Sequence, residues 1–148
     1  MLFSEATGRT VLSTGTAETV GTVSGFLVDP ITARVVAIRL KRTHSRGDTV
    51  HWPDLTSFGV DNVTVASADV VTAATGAAKD LDSKAAQLLG KRLLTDAGAE
   101  IGTVDDIDFD PDNGAVISLL NSTGNVSGDR LIGCGSYAVV VKDAAGEQ

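Results

Sequence analysis

The chain has 148 residues, 43% of them hydrophobic, and a net charge of −7. That length suits one domain or two very small ones, each of marginal core size alone. A single cysteine, Cys134, excludes an intramolecular disulfide and any metal site built on several thiolates.

The charge is uneven. Residues 1–66 balance six acidic against six basic side chains, whereas residues 67–148 carry thirteen acidic and six basic. The acidic half reads as a solvated face that favours solubility. The aromatics are Phe3, Phe26, Trp52, Phe58, Phe109 and Tyr137, so aliphatic residues must fill most of the core. The first residues lack a basic segment followed by a long apolar run, so no secretory leader is expected. No stretch reaches the ~18 continuous apolar residues of a membrane helix. The expectation is a cytoplasmic protein without membrane insertion.

In chain order, Leu2–Gly8 reads as a short helical lead-in. Strands follow near Arg9–Ser13, Gly21–Val28, Val35–Lys41, Asp48–Trp52 and Asn62–Ala66. Turn residues such as Thr14-Gly15 and Asp29-Pro30 punctuate them. Between the fourth and fifth of these strands, Trp52–Phe58 suits a single helical turn. Val70–Ala78, rich in Ala, Thr and Gly, reads as a linker. Leu81, Ala85, Leu88 and Leu89 then fall on one helical stripe, with Asp80 or Asp82 as N-cap and Gly90 as the stop. Further strands are expected near Lys91–Leu94, Glu100–Asp110, Val116–Asn121, Gly128–Ile132 and Tyr137–Lys142.

Two long strands carry a finer signal. Val23, Phe26 and Val28, like Val104, Ile107 and Phe109, break strict alternation by one residue. A strand changes faces in mid-run only through an extra residue. A β-bulge or sharp coil is therefore expected at Ser24-Gly25 and at Asp105-Asp106.

The chain also repeats itself. Gly21-Thr22-Val23 returns as Gly102-Thr103-Val104, Asp29-Pro30 as Asp110-Pro111, Val35-Val36 as Val116-Ile117, and Gly47-Asp48 as Gly128-Asp129, all 81 positions on. A constant shift of this kind marks a duplicated small domain. The lead-ins are 82 apart, which places a one-residue difference in the loop before Gly21 or Gly102. Pro53 has no counterpart, and the loop at Gly133–Ser136 reads as an abbreviated version of 52–58.

These motifs resemble the PRC-barrel family, named from the photosynthetic reaction-centre H subunit and found also in a bacterial ribosome maturation factor. The resemblance rests on Gly8-Arg9-Thr10-Val11, Gly21-Thr22-Val23, Asp29-Pro30, Val35-Val36-Ala37-Ile38, Val50-His51-Trp52-Pro53 and Asn62-Val63-Thr64-Val65. In the second copy it rests on Leu89-Gly90-Lys91-Arg92-Leu93, Gly102-Thr103-Val104, Asp110-Pro111, Val116-Ile117 and Tyr137–Val141. It implies an all-β chain of two tandem small PRC-barrel-like β-barrels with short helical segments between them. The boundaries are 1–69 for the first, 70–83 for a linker and 84–148 for the second. The family brings no catalytic residue to carry over, and it implies members that hold other proteins or ribonucleoprotein surfaces.

The residues themselves suggest little chemistry. Asp108, Asp110 and Asp112 have calcium-loop spacing, but Asn113 and Leu119 stand where an EF-hand needs Gly and Glu. They read as an acidic strand face entering a turn. Cys134 has no histidine in its own copy, since His44 and His51 both lie in the first. No catalytic, cofactor or metal residue is therefore assigned, and an enzyme is not expected.

Arg34, Arg39, Lys41, Arg42 and Arg46 form one basic segment, with no acidic residue between positions 30 and 47. It reads either as aggregation-blocking edge charge or as a contact for RNA phosphate or an acidic protein surface. Trp52 reads either as a core anchor or as an interface anchor. Arg39, Lys41, Arg42, Arg46 and Trp52 are the candidate partner-binding residues. The expected function is a non-enzymatic protein-binding or assembly module, its partner another protein or a second copy of itself. The alternative is an RNA- or ribosome-associated factor using Arg34–Arg46.

Overall fold

A computed structural model describes residues 1–43, 47–81 and 86–143. The fold is all-β. The helix α1 (Phe3–Ala6) opens it, held by the Leu2 N–H donating to Glu5 Oε1 at 2.9 Å. Gly8, at φ +95°, then turns the chain into the first strand, a backbone region that favours glycine.

The first half forms a six-stranded sheet. Its strands are β1 (Thr10–Ser13), β2 (Thr19–Asp29), β3 (Arg34–Lys41), β4 (Thr49–His51), β5 (Leu55–Phe58) and β6 (Asn62–Val65), in the spatial order β4-β3-β2-β1-β6-β5. A 3-10 turn at Trp52–Asp54 joins β4 to β5.

The second half contains β7 (Arg92–Thr95), β8 (Glu100–Thr103), β9 (Asp106–Phe109), β10 (Val116–Asn121), β11 (Gly124–Ser127), β12 (Leu131–Cys134) and β13 (Ala138–Val141), in two sheets, β11-β10-β9 and β12-β13-β7-β8. Together β8 and β9 take the place of β2. With that substitution, each half has the same pairings. β1 runs parallel to β6 as β7 does to β13, and every other pair is antiparallel.

The irregularities recur as well. The register slips between Val11 and Leu12, and between Leu93 and Leu94. Val36 and Ile117 are extra residues on their strands, and so are Thr56 and Ile132. Bulges are positional features that re-aim a strand. Three pairs at equivalent places are a stronger mark of repetition than short sequence matches.

The expected bulge at Ser24 is present, since Val23 pairs Leu40 and Gly25 pairs Arg39. In the second half the equivalent coil is sharper. Val104 and Asp105 belong to neither strand, although the Val104 N–H still donates to the Lys91 carbonyl and the Asp105 N–H to the Leu120 carbonyl, so the strand expected over Glu100–Asp110 is two strands. The loop between β1 and β2 has five residues and that between β7 and β8 has four, which accounts for the shift from 82 to 81.

Several expectations are corrected. Gly128–Arg130 is a 3-10 turn and not a strand, with β12 following it. It matches Trp52–Asp54, so the likeness of Gly47-Asp48 to Gly128-Asp129 is coincidental. The helical turn ends at Asp54, and Leu55–Phe58 is a strand. The shortened connection is not at Gly133–Ser136. Seven residues link β3 to β4, but only Ser122-Thr123 link β10 to β11. The linker is partly ordered, with a 3-10 turn at Ala68–Val70 and a helix α2 at Ala77–Asp80. Asp80 therefore ends a helix and does not cap one. Of the expected stripe, Leu88 is buried and Leu89 exposed; Asp82 and Ala85 lie outside the described residues.

One continuous apolar cluster holds both halves, with Val11, Val23, Ile38, Val50 and Val63 from the first joined to Leu93, Ile107, Phe109, Leu119 and Val139 from the second. Phe109, fully buried, is the centre. It packs at 5.4 Å from each of Phe3, Phe26 and Phe58, and at 6.4 Å from Trp52. The scarce aromatics are thus concentrated where the two halves meet.

Candidate functional site

The basic segment lies on β3 and the hairpin beyond it. Arg39 and Lys41 alternate with buried Ile38 and Leu40, so both point outward. The Arg39 guanidinium is not free: its Nη2 donates to Asp48 Oδ2 at 2.6 Å. Arg34 reaches across to the second half, where its Nη1 donates to the Asn113 carbonyl at 3.4 Å. Lys41 and Arg42 are exposed, and Arg42 takes a positive φ of 59° as the strand ends. Arg46 and His44 lie outside the described residues.

Trp52 shares a groove with Arg34 and lies along β4 from the other cations. The three residues of β4 separate it from the hairpin. It stacks on Phe58 with centroids 6.1 Å apart and planes 12° apart. Its indole also lies over Gly114, where an added Cβ would sit 3.1 Å from the ring. Trp52 is therefore a core-side anchor with one partly exposed flank. That flank, with Pro53, Val36 and Ala78, lines an apolar groove of about 450 Å³. The candidate residues thus fall into two places: Arg39, Lys41 and Arg42 at the loop end of the β3–β4 hairpin, and Trp52 at the junction of the halves.

The junction has its own geometry. The Val35 N–H donates to the Gly114 carbonyl and the Val116 N–H donates to the Ala33 carbonyl, both at 2.8 Å. Arg34 and Ala115 form the antiparallel bridge between them. The helix α1 packs on β9, where the Phe109 N–H donates to the Met1 carbonyl at 2.8 Å and the Ser4 N–H to Asp106 Oδ1 at 3.2 Å. Reciprocally, Gln87 and Leu88 line a cleft with Gly25, Phe26 and Val28 of β2.

The acidic spacing at 108–112 serves local structure. Asp110 Oδ1 accepts the Asp112 N–H at 2.8 Å, closing the turn. Among the described residues, no three His, Cys, Asp or Glu side chains gather to hold a metal. The half-buried Cys134 Sγ lies 3.6 Å from Lys91 Nζ. Burial pushes its thiol pKa up, and the Lys91 charge offsets only part of that. Such a thiol is a poor nucleophile at neutral pH.

Sequence reasoning missed the aromatic junction. The signal that could have found it is the placement of Phe3, Phe26 and Phe58 in one copy with only Phe109 in the other, an imbalance that suits residues shared between copies.

The family model described as PRC-barrel domain matches residues 82–145, most of the second half of the chain. No curated protein matches the chain. No helix among the described residues is long and apolar enough to cross a membrane.

Proposed function

We propose that the chain is a cytoplasmic, non-enzymatic protein-binding or assembly module built from two PRC-barrels, 1–69 and 84–148, joined through 70–83. The observation that carries this reading is the shared aromatic core. The two halves bury their scarce large side chains against each other and so form one rigid block. What remains outside is surface, including the exposed apolar residues Ile31, Val60 and Tyr137. A rigid block with outward apolar side chains suits docking better than turnover.

A second reading, an RNA- or ribosome-associated factor, draws on one observation: Lys41 and Arg42 stand exposed on a hairpin five residues longer than its counterpart. Against it, Arg39 and Arg34 are already engaged within the molecule.

Affinity capture of the full chain from its native cell, with and without nuclease and across a salt series, tests both. Recovery of the same proteins after nuclease treatment supports the module. Loss of all partners with nuclease, and steeply with salt, would sink it in favour of RNA.

A further inference from the structure

Among the described residues, the two repeats treat one sheet edge differently. In the first, β4 is an edge strand, and its outward backbone is not left open. The Thr49 N–H donates to the Thr72 carbonyl and the Thr72 N–H to the Thr49 carbonyl, both at 2.9 Å. The chain after β6 thus returns as an extended segment to cover the edge, with Val71 buried beneath it.

In the second repeat the equivalent strand is β11. Thr49 pairs Arg39, and 81 positions beyond Arg39 stands Leu120, whose partner is Asn125. Asn125 is therefore the counterpart of Thr49. The two-residue hairpin closes on the Asn121–Gly124 pair, which directs the Asn125 N–H and carbonyl away from β10. Asn125 is exposed, its neighbour Val126 is buried, and among the described residues no segment pairs with this outer edge. The strand Gly124-Asn125-Val126-Ser127 carries none of the lysines, prolines or inward charges that usually guard an edge.

We propose that the outer edge of β11 is a docking site for an extended segment of a partner protein, added as a further strand beside Asn125. The first repeat shows the kind of occupant that fits: the uncharged, small and β-branched run Val71-Thr72-Ala73-Ala74. Charge selects the partner. Residues 67–148 hold thirteen acidic against six basic side chains, so a neutral or basic segment is favoured over a second copy of this half. The inference rests on the binding-module reading for its partner, but the edge can be tested by itself.

The probe is a synthetic peptide with the sequence of residues 70–76, flanked by one lysine at each end, added at millimolar concentration to the isotope-labelled full chain. Amide exchange and chemical shifts are read by NMR. The Asn125 amide should exchange at least about tenfold more slowly with peptide bound. Asn125→Pro removes the outward N–H, a position where an edge strand tolerates proline, and should abolish the peptide-induced shift changes at the neighbouring Val126 and Ser127 amides. Asn125→Thr, which restores the residue type found at Thr49, should keep them. Unchanged exchange at Asn125, or an equal response in a folded Asn125→Pro variant, overturns the proposal. Slowed exchange that depends on protein concentration without peptide also overturns it, in favour of a second copy. If Asn125→Pro captures the same cellular partners as the wild-type chain, the edge is not their site while the module reading stands.

Discussion

Arg34 and Ala115 face each other across an antiparallel bridge, and each is the other's counterpart, 81 positions apart. The flanking hydrogen bonds obey the same exchange: residue 33 accepts from 116, and 114 accepts from 35. A contact in which i meets j′ and j meets i′ is isologous. The halves are therefore related by an approximate two-fold axis between Arg34 and Ala115. The junction has the form of a homodimer interface drawn into one chain.

That junction makes the halves unfold together. Phe109→Ala removes the ring around which Phe3, Phe26 and Phe58 pack, and should cost about 3–5 kcal/mol. Urea titration of the wild-type chain should give coincident transitions by Trp52 fluorescence and far-ultraviolet circular dichroism. Two separated transitions would contradict the shared core.

Glycine tests the repeat turn. At Gly128 an added Cβ would collide with the Val116 carbonyl oxygen, whereas Gly133 has nothing within 4 Å. Gly128→Ala should destabilise by at least about 2 kcal/mol, and Gly133→Ala should fall within about 0.5 kcal/mol of wild type. Equal denaturation midpoints for the two variants would refute the packing of this turn on β10.

The Arg39–Asp48 pair is partly solvated, at 32% and 44% side-chain exposure. Asp48→Asn should therefore cost no more than about 1 kcal/mol, and less at high salt. A larger loss that persists in molar salt would mean that Asp48 supports the hairpin by some route other than charge.

Cys134 gives a pH dependence. Its thiol pKa is raised in the folded chain, chiefly by burial. The folded state thus holds the proton more tightly than the unfolded one. The resulting stability is fully present below the unfolded thiol pKa, about 8.5. It is lost as pH rises from there through the higher folded value. Cys134→Ser should remove this alkaline decline from a series of denaturant midpoints, and identical slopes in both proteins would exclude the linkage.

Much of the strand order was legible because alternation and glycine turns report local geometry. The slip at Val23–Phe26 even located a bulge. Two strands escaped for physical reasons. Leu55–Phe58 contains its own extra residue, Thr56, which hides the alternation. Gly124–Ser127 has a single apolar side chain, Val126. The Gly-Asp match misled because dipeptides recur by chance, and only the ladder shows that a five-residue shortening intervenes. The aromatic cluster and the division of the candidate site into a cationic hairpin and a Trp52 anchor depend on distant pairing, which local pattern does not encode. The family resemblance was legible in glycine and aliphatic motifs, and the match over 82–145 bears it out for the second half.

The bridge at Arg34 and Ala115 also limits growth. Head-to-tail stacking leaves a donor face at one end and an acceptor at the other, so units can be appended without end. Here each half spends its only copy of the contact on its sibling. A third unit would find that socket occupied, and any larger array must be nucleated through different faces of the molecule.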